Sequence, residues 1–340
     1  MTKKFDALVF LGRFSPFHNG HKSIIDAALE QANEVIIVVG SSFAARTVRN
    51  PFTFDERKTM IKSIFPQNNV KVVPVSDYPY DDNKWVAAVQ SVVRSAMRFT
   101  PDPIRIGLIG HSKDNSSYYL KIFRTWGNIE VPNLDGINAT DIREIMFNDL
   151  SQWHNLAYIM PRTVMDYVGH ITSEKLERIQ EEYDFNKKYK KIWETSPFPP
   201  IFVTTDAVLT QSGHILLVKR GKHPGKGLWA LPGGYLEHNI TIMDNMIKEL
   251  REETCVKVPD KVLRGSIKEQ KVFDEPTRDP RGRTLTHAFY IDLGFPVEPL
   301  PKVKGDSDAV DARWIPFGEL KQEAFAFDHW HIINYFLNLG

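Results

Sequence analysis

Short apolar runs alternate with amphipathic stretches through the first half of the chain. Ala7–Leu11, Val35–Gly40, Val70–Val75, Ile104–Gly110 and the segment around Ile129–Val131 have the length and composition of strands. Between them, Lys22–Ala32, Phe54–Phe65, Trp85–Arg98 and Thr140–Phe147 carry apolar residues at helical spacing. Thr53-Phe-Asp-Glu56 has the form of a capping box opening the second helix. Strands alternating with helices predict a parallel, doubly wound, Rossmann-like sheet, so the chain is expected to be α/β. In such a sheet, ligands sit beyond the carboxyl ends of the strands.

The pattern changes near residue 172. Thr172–Trp193 is rich in charge, and Leu176, Ile179 and Tyr183 keep helical spacing only at its start. This predicts a long exposed helix packed lightly on one domain. Pro197, Pro199 and Pro200 then rule out further helix. Beyond them, Ile201–Leu209 and Ile215–Lys219 read as strands around the turn Thr210–Gly213. Helices are expected over Thr241–Thr254 and from about Phe327 to Leu339. Two domains follow, 1–184 and 200–340, with 185–199 as linker, as suits a chain of 340 residues.

Bulk properties narrow the setting. A net charge of +1 gives no reason to expect nucleic acid or an anionic membrane as partner. No apolar run is long enough to span a bilayer, and the first residues lack the apolar region of a signal peptide. One cysteine, Cys255, excludes an internal disulfide and fits a cytoplasmic protein.

The chemistry of the first half gathers around Phe10–His21. A strand, a tight loop and a helix follow one another there, the layout in which a helix N-terminus meets an anion. Gly12 and Gly20 allow close backbone approach, and Arg13, His18, His21 and Lys22 supply donors. A nucleotide phosphate is the natural guest. Farther along, Thr140 can cap a helix whose first turn presents Arg143, bringing N–H groups, a hydroxyl and a guanidinium to one phosphate chain.

These residues carry a resemblance. His18-Asn19-Gly20-His21 fits the HxGH motif of nucleotidylyltransferases, and Gly12, Phe14 and Pro16 fit its longer form. Residues from about 5 to 170 resemble the archaeal-like nicotinamide mononucleotide (NMN) adenylyltransferases. Ile137–Arg143 is similar to the family's ISxxxR motif, with Asn138 where serine is common and Thr140 as a substitute hydroxyl. Arg46, Arg49 and Asn50-Pro51-Phe52-Thr53 resemble the NPFT stretch. Asp77 and Asn83-Lys84-Trp85 resemble the nicotinamide-binding segment, and Gly110-His111-Ser112-Lys113-Asp114 one near the adenosine. The resemblance implies that the 5′-phosphate of NMN attacks the α-phosphorus of ATP and pyrophosphate leaves. The nucleophile is already an anion, so catalysis is alignment and charge neutralisation. His18, His21, Arg13 and Arg143 are expected to do this, with magnesium on the triphosphate. Arg46 and Arg49 would clamp phosphate, and Trp85 would stack on the pyridinium ring. Another phosphorylated acceptor stays open as an alternative.

In the second half, Glu249, Glu252 and Glu253 lie at i, i+3 and i+4, on one helix face, with Met243, Met246, Ile247 and Leu250 on an adjoining arc. A divalent cation relieves the repulsion of such a triad. Taken alone, the spacing favours an exposed acidic face interleaved with Lys248 and Arg251. Gly234–Val256 resembles the Nudix box, Gx5Ex7REUxEExGU, with three departures: Ile240 for glutamate, Lys248 for arginine and Cys255 for glycine. Glu237 offers a substitute carboxylate. Val272–Phe289, with Arg278, Arg281 and Arg283, resembles the ADP-ribose pyrophosphatases fused to this transferase. Residues from about 200 to 340 are thus expected to form a Nudix α/β/α sandwich. Gly234, Glu249, Glu252 and Glu253 would hold Mg2+, or alternatively Mn2+, with Glu253 catalytic. The three arginines would grip the diphosphate, and ADP-ribose would be cleaved to AMP and ribose 5-phosphate. An inactive module sensing ADP-ribose or NAD is the alternative. The expected partners are small nucleotides (ATP, NMN, NAD and ADP-ribose), and a homo-oligomer is left open.

Overall fold

The computed structural model describes residues 3–97, 104–110, 122–132, 137–148, 150–171, 173–296 and 299–339. The chain divides into two compact units, Met1–Gln180 and Glu181–Gly340.

The first unit holds a five-stranded sheet: Phe5–Gly12 (β1), Ala32–Val39 (β2), Val70–Pro74 (β3), Ile106–Gly110 (β4) and Gly127–Glu130 (β5). Every described pairing is parallel, in the order β3-β2-β1-β4-β5. Consecutive residues such as Val35 to Val39 have no solvent exposure, because helices cover both faces of such a sheet. Helices Asn19–Gln31 (α1), Phe54–Ile64 (α2), Asp82–Ala96 (α3) and Ala139–Asn148 (α4) follow the expected pattern, and Arg162–His170 (α5) comes after them. The capping box forms: Thr53 N donates to Glu56 Oε2 at 2.9 Å, and Glu56 N to Thr53 Oγ1 at 3.4 Å. The strand order reverses between β1 and β4, which opens a crevice at the carboxyl ends of those strands.

Helix Ser173–Ile192 (α6) contains the division between the units. The second half of the helix is exposed at most positions, as expected, but it also carries one packed face. Phe185, Tyr189 and Trp193, four residues apart, form a stripe of ring contacts at 6.1 and 6.5 Å. Tyr189 and Trp193 also meet Phe202 edge-on, and the carboxylate of Glu182, 3% exposed, accepts from Gly225 N at 2.9 Å. Residues 185–192, placed in the linker, are helical as the Thr172–Trp193 pattern predicts, and Phe185, Asn186 and Tyr189 turn towards the second unit while Lys187, Lys188, Lys190, Lys191 and Ile192 stay exposed.

The second unit is built on a mixed sheet. Its strands are Ile201–Gln211 (β6), His214–Arg220 (β7), Trp229–Ala230 (β8), Gly233–Tyr235 (β9), Ile267–Phe273 (β10), Arg283–Asp292 (β11) and Ala309–Pro316 (β12). The order is β10-β11-β6-β7-β12, with β8 on β7 and β9 on β6. Ser212 and Gly213, both at positive φ, close the β6–β7 hairpin as a two-residue turn matched to strand twist. Helix Ile242–Thr254 (α7) lays Met246, Ile247 and Leu250 on Ala207, Leu209, Leu216, Phe289 and Ile291. Glu249 and Glu253 lie on an adjoining face turned towards β9, and Glu252 is exposed. Asp260–Gly265 (α8) and His329–Leu337 (α9) complete the unit. Among the described residues, no helix is long and apolar enough to cross a membrane.

Two candidate nucleotide sites

The first site lies where β1 passes into α1. His18 is the N-cap of α1, and its ring stacks on that of His21 at 3.6 Å and 24°. His18 N donates to His21 Nδ1 at 3.3 Å, which assigns the ring proton of neutral His21 to Nε2. Phe10, Phe14 and Phe17 surround the His21 ring at 6.0, 4.8 and 5.6 Å and fix its plane. The two glycines serve this packing: a Cβ on Gly12 would lie 2.9 Å from the Phe14 ring, and one on Gly20 would lie 3.1 Å from the His18 ring.

The two distant motifs meet. Arg143, buried at 8% exposure, donates from Nη1 to Ser15 O at 2.8 Å across 128 positions of sequence. Its Nη2 donates to Thr140 Oγ1 at 3.2 Å. Asn138, not Thr140, caps α4: Asn138 Oδ1 accepts from Thr140 N and Asp141 N, each at 3.0 Å. Asn138 Nδ2 is held by Asp141 Oδ2 at 2.8 Å, so this side chain is occupied by the cap rather than presented to a ligand. Burial lowers Arg13 to a pKa of about 10, and the charges of Arg49 and Arg143 push the same way. Arg143 is likewise lowered to about 10 by burial, then by Arg49. Three guanidiniums that disfavour one another's charge form a region of positive potential matched to a polyphosphate.

Other expected residues fall elsewhere. Arg46 binds both carboxylate oxygens of Glu56 at 2.7 Å and Pro51 O at 2.7 Å, so the expected phosphate clamp is a structural ion pair. Lys22 pairs with Asp26 at 2.7 Å, one helical turn on. Asn50 is buried, with its Nδ2 on Ser41 O at 3.2 Å. Asn83 is exposed in the first turn of α3, and Trp85 packs edge-on against Phe123 at 5.8 Å beside the core. Gly110 ends β4, while His111, Lys113 and Asp114 lie outside the described residues. Sequence reasoning assigns no role to Arg57, which is wholly buried and donates to Arg13 O, Gly40 O, Ser41 O and Thr53 O. Its place after Glu56 in the NPFT stretch was the only signal.

The second site forms where α7 meets β9. Gly233 N donates to Glu253 Oε2 at 3.0 Å. A Cβ on Gly233 would lie 2.1 Å from Thr205 O, and one on Gly234 would lie 2.6 Å from the Glu249 carboxyl. Gly233 thus lets β9 lie close against β6 while its N–H reaches Glu253, and Gly234 leaves room for the Glu249 carboxyl. Burial, reinforced by the charge of Glu249, pushes Glu253 up to about 8 against the opposing Gly233 N–H and Arg220. Glu249 is raised as well, chiefly by burial. Glu252 is held by Lys248 at 3.2 Å, the same Lys248 binds Glu237 at 2.6 Å, and the charge of Glu252 acts on Glu249. Among the described residues, no group of three His, Cys, Asp or Glu is already gathered as a metal site. The donor chemistry still suits a hard divalent cation. Two crowded carboxyls that resist ionisation gain their charge when a cation arrives, and the exposed Lys248 pair is weak enough to release Glu252.

The three loop arginines part ways. Arg278 is 5% exposed at its side chain and binds Asp328 through Nε and Nη2, each at 2.8 Å, so it is a buried structural pair rather than a diphosphate ligand. Arg283 donates to Asp274 O, and Arg281 is held by Asp279 at 2.7 Å beneath the rings of Tyr189, Tyr235 and Phe327. Arg220, which the sequence reading did not select, is a basic residue whose charge acts on Glu253, and its Nε donates to Pro224 O at 2.8 Å. Burial and Arg281 depress its pKa, and Glu253, Asp279 and Asp206 oppose this. It ends β7, the strand leading into the loop before the glycine pair, and that position was a usable signal.

Residues 200–336 match the NUDIX domain family and residues 9–145 the cytidylyltransferase-like family. The nicotinamide/nicotinic acid mononucleotide adenylyltransferase of Acinetobacter baylyi is 43% identical over 148 residues, 42% of this chain and 77% of that protein. The ADP-ribose pyrophosphatase of Methanocaldococcus jannaschii is 34% identical over 133 residues, 39% of this chain and 70% of that protein. A crystal structure of a bifunctional NMN adenylyltransferase/ADP ribose pyrophosphatase from Francisella tularensis, complexed with AMP and an Mn ion, is 34% identical with a TM-score of 0.88, covering 99% of this chain and 100% of that one.

Proposed function

The chain belongs to the family of bifunctional NMN adenylyltransferase/ADP-ribose pyrophosphatases, and we propose that each of its two compact units carries one of those activities. The first unit joins ATP and NMN into NAD. A non-bridging oxygen of the NMN phosphate forms a bond to the α-phosphorus of ATP as the bond to pyrophosphate breaks. No protein nucleophile is needed. Arg13, Arg49 and Arg143 offset the charge that gathers on the phosphates, and His21 offers its Nε2–H to a phosphoryl oxygen beside His18. The observation that carries this reading is the meeting of Arg143 with the His18–His21 loop.

The second unit hydrolyses ADP-ribose. Water attacks one phosphorus of the diphosphate as the bond from that phosphorus to the bridging oxygen breaks, the bridging oxygen leaves with the other phosphate, and the products are AMP and ribose 5-phosphate. Glu249 and Glu253 are the residues to hold a divalent cation, Mg2+ or Mn2+, with Glu252 joining once it leaves Lys248. Such a cation, when bound, polarises the diphosphate. Arg220 steadies the substrate's charge beside it. The approach of both carboxyls to Gly233 and Gly234 carries this reading. A net charge of +1 suits free nucleotides rather than nucleic acid, and we place the work in the cytoplasm.

One purified preparation tests both halves. NAD formation from ATP and NMN, and AMP release from ADP-ribose with Mg2+ and with EDTA, are measured side by side. Lys248 on Glu252, together with Ile240, favours a second reading of the hydrolase half as a sensor. Saturable ADP-ribose binding without AMP release distinguishes it.

A further inference from the structure

Arg57 has the largest side chain without solvent exposure among the described residues. Its Nη1 donates to Arg13 O at 2.8 Å and Gly40 O at 2.7 Å, and its Nη2 to Ser41 O at 3.0 Å. Its Nε donates to Thr53 O at 3.2 Å. These carbonyls mark a particular kind of backbone. Phe14, which follows Arg13, has φ 51°, and Ser41 has φ 50°. Neither is glycine, so both turns are strained and persist only where their surroundings hold them. One guanidinium therefore ties together two strained turns, at the carboxyl ends of β1 and β2. Gly40 N on Gly12 O at 2.9 Å and Ser41 N on Asp77 Oδ1 at 3.0 Å complete the junction.

We propose that Arg57 is a positioning residue for adenylyl transfer: by fixing these two turns it aims the Arg13 guanidinium at the phosphates, without touching substrate itself. The assignment rests on reading the first unit as the transferase. An apolar side chain could fill the same volume, but it could not gather four carbonyls. Lysine keeps the charge but lacks the planar fork, so it cannot hold all of them at once.

The test is Arg57→Lys in the full chain, with kcat and KM for ATP and NMN measured separately and thermal unfolding followed in parallel. ADP-ribose hydrolysis serves as the control for the second unit. We expect kcat for NAD synthesis to fall about tenfold to a hundredfold, because a small misalignment of a charged group acts on the chemical step. KM for ATP should stay within about threefold. Adding Ser41→Gly, which removes the strain at one turn, should recover at least about threefold of the lost kcat. If Arg57→Lys alone does not fold, the double variant is read against Ser41→Gly alone. A folded variant with kcat within about twofold of the parent, or no recovery on adding glycine, overturns the proposal. Should the parent chain itself make no NAD, the reading of the unit has failed rather than the role of Arg57.

Discussion

Gly234 and Glu249 sit so close that a Cβ on the glycine would lie 2.6 Å from the glutamate's carboxyl carbon. The carboxyl is the far end of a flexible side chain, so it can move aside at little cost in stability. Its displacement should cost function instead. Gly234→Ala is expected to lower ADP-ribose hydrolysis by about tenfold or more, as for other small misplacements of reacting groups. NAD synthesis in the same preparation should be unchanged. Parallel assays of the two activities check this.

Glu253 gives a pH dependence with a definite sign. Its folded-state pKa, about 8, lies above the ordinary 4.5. The metal-free native state therefore holds the proton more tightly than the unfolded chain does. This contribution to stability is full below pH 4.5 and is lost as pH rises towards 8. Glu249 is shifted in the same direction. Unfolding of the second unit in EDTA should occur at lower temperature as pH rises through that window, and Glu253→Gln should flatten the slope. Because a cation competes with the proton, Mg2+ added at neutral pH should release close to one proton, readable with an indicator dye. No release, or a slope of opposite sign, contradicts the shift.

Arg278 and Arg220 separate structure from function. Removing Arg278 leaves Asp328 buried without its bidentate partner, so Arg278→Ala should destabilise the second unit by about 3–5 kcal/mol in denaturant unfolding. Arg220→Ala should lose about tenfold or more in hydrolysis, consistent with loss of a charge-stabilising donor, and should also lose some stability, because its Nε donates to Pro224 O.

Cys255 ends α7 in the left-handed conformation, φ 53°, where the Nudix box has glycine. A Cβ is disfavoured there. Cys255→Gly should raise stability by about 0.5–1 kcal/mol, as glycine does at helix ends of this kind. Chemical denaturation measures it.

The parts of this molecule that were legible in sequence are those fixed by local pattern. Val35 to Val39 announce a strand because both faces of it are buried, and Thr53 and Glu56 announce a helix start because each caps the other. His18 to His21 and the spacing of Glu249 and Glu253 likewise mark candidate sites by residue type and phase. What sequence did not decide is which arginines are taken up by buried ion pairs. Arg46 finds its carboxylate 10 residues away and Arg278 finds one 50 residues away, and no local rule distinguishes these from Arg13 or Arg220. Neighbouring residues competent to cap, Asn138 and Thr140, also left the start of α4 ambiguous until Asn138 Oδ1 was seen to take both backbone donors. The aromatic stripe of α6 was hidden because Phe185, Tyr189 and Trp193 are interleaved with lysines that dominate the average polarity.

The central claim is that the His18–His21 pair serves dinucleotide synthesis in one unit while separate carboxyls serve hydrolysis in the other. The most direct measurement is NAD formation and ADP-ribose hydrolysis by His21→Ala beside the parent chain. Synthesis should fall by about a hundredfold or more, with hydrolysis unchanged. Undiminished synthesis by the folded variant contradicts the account.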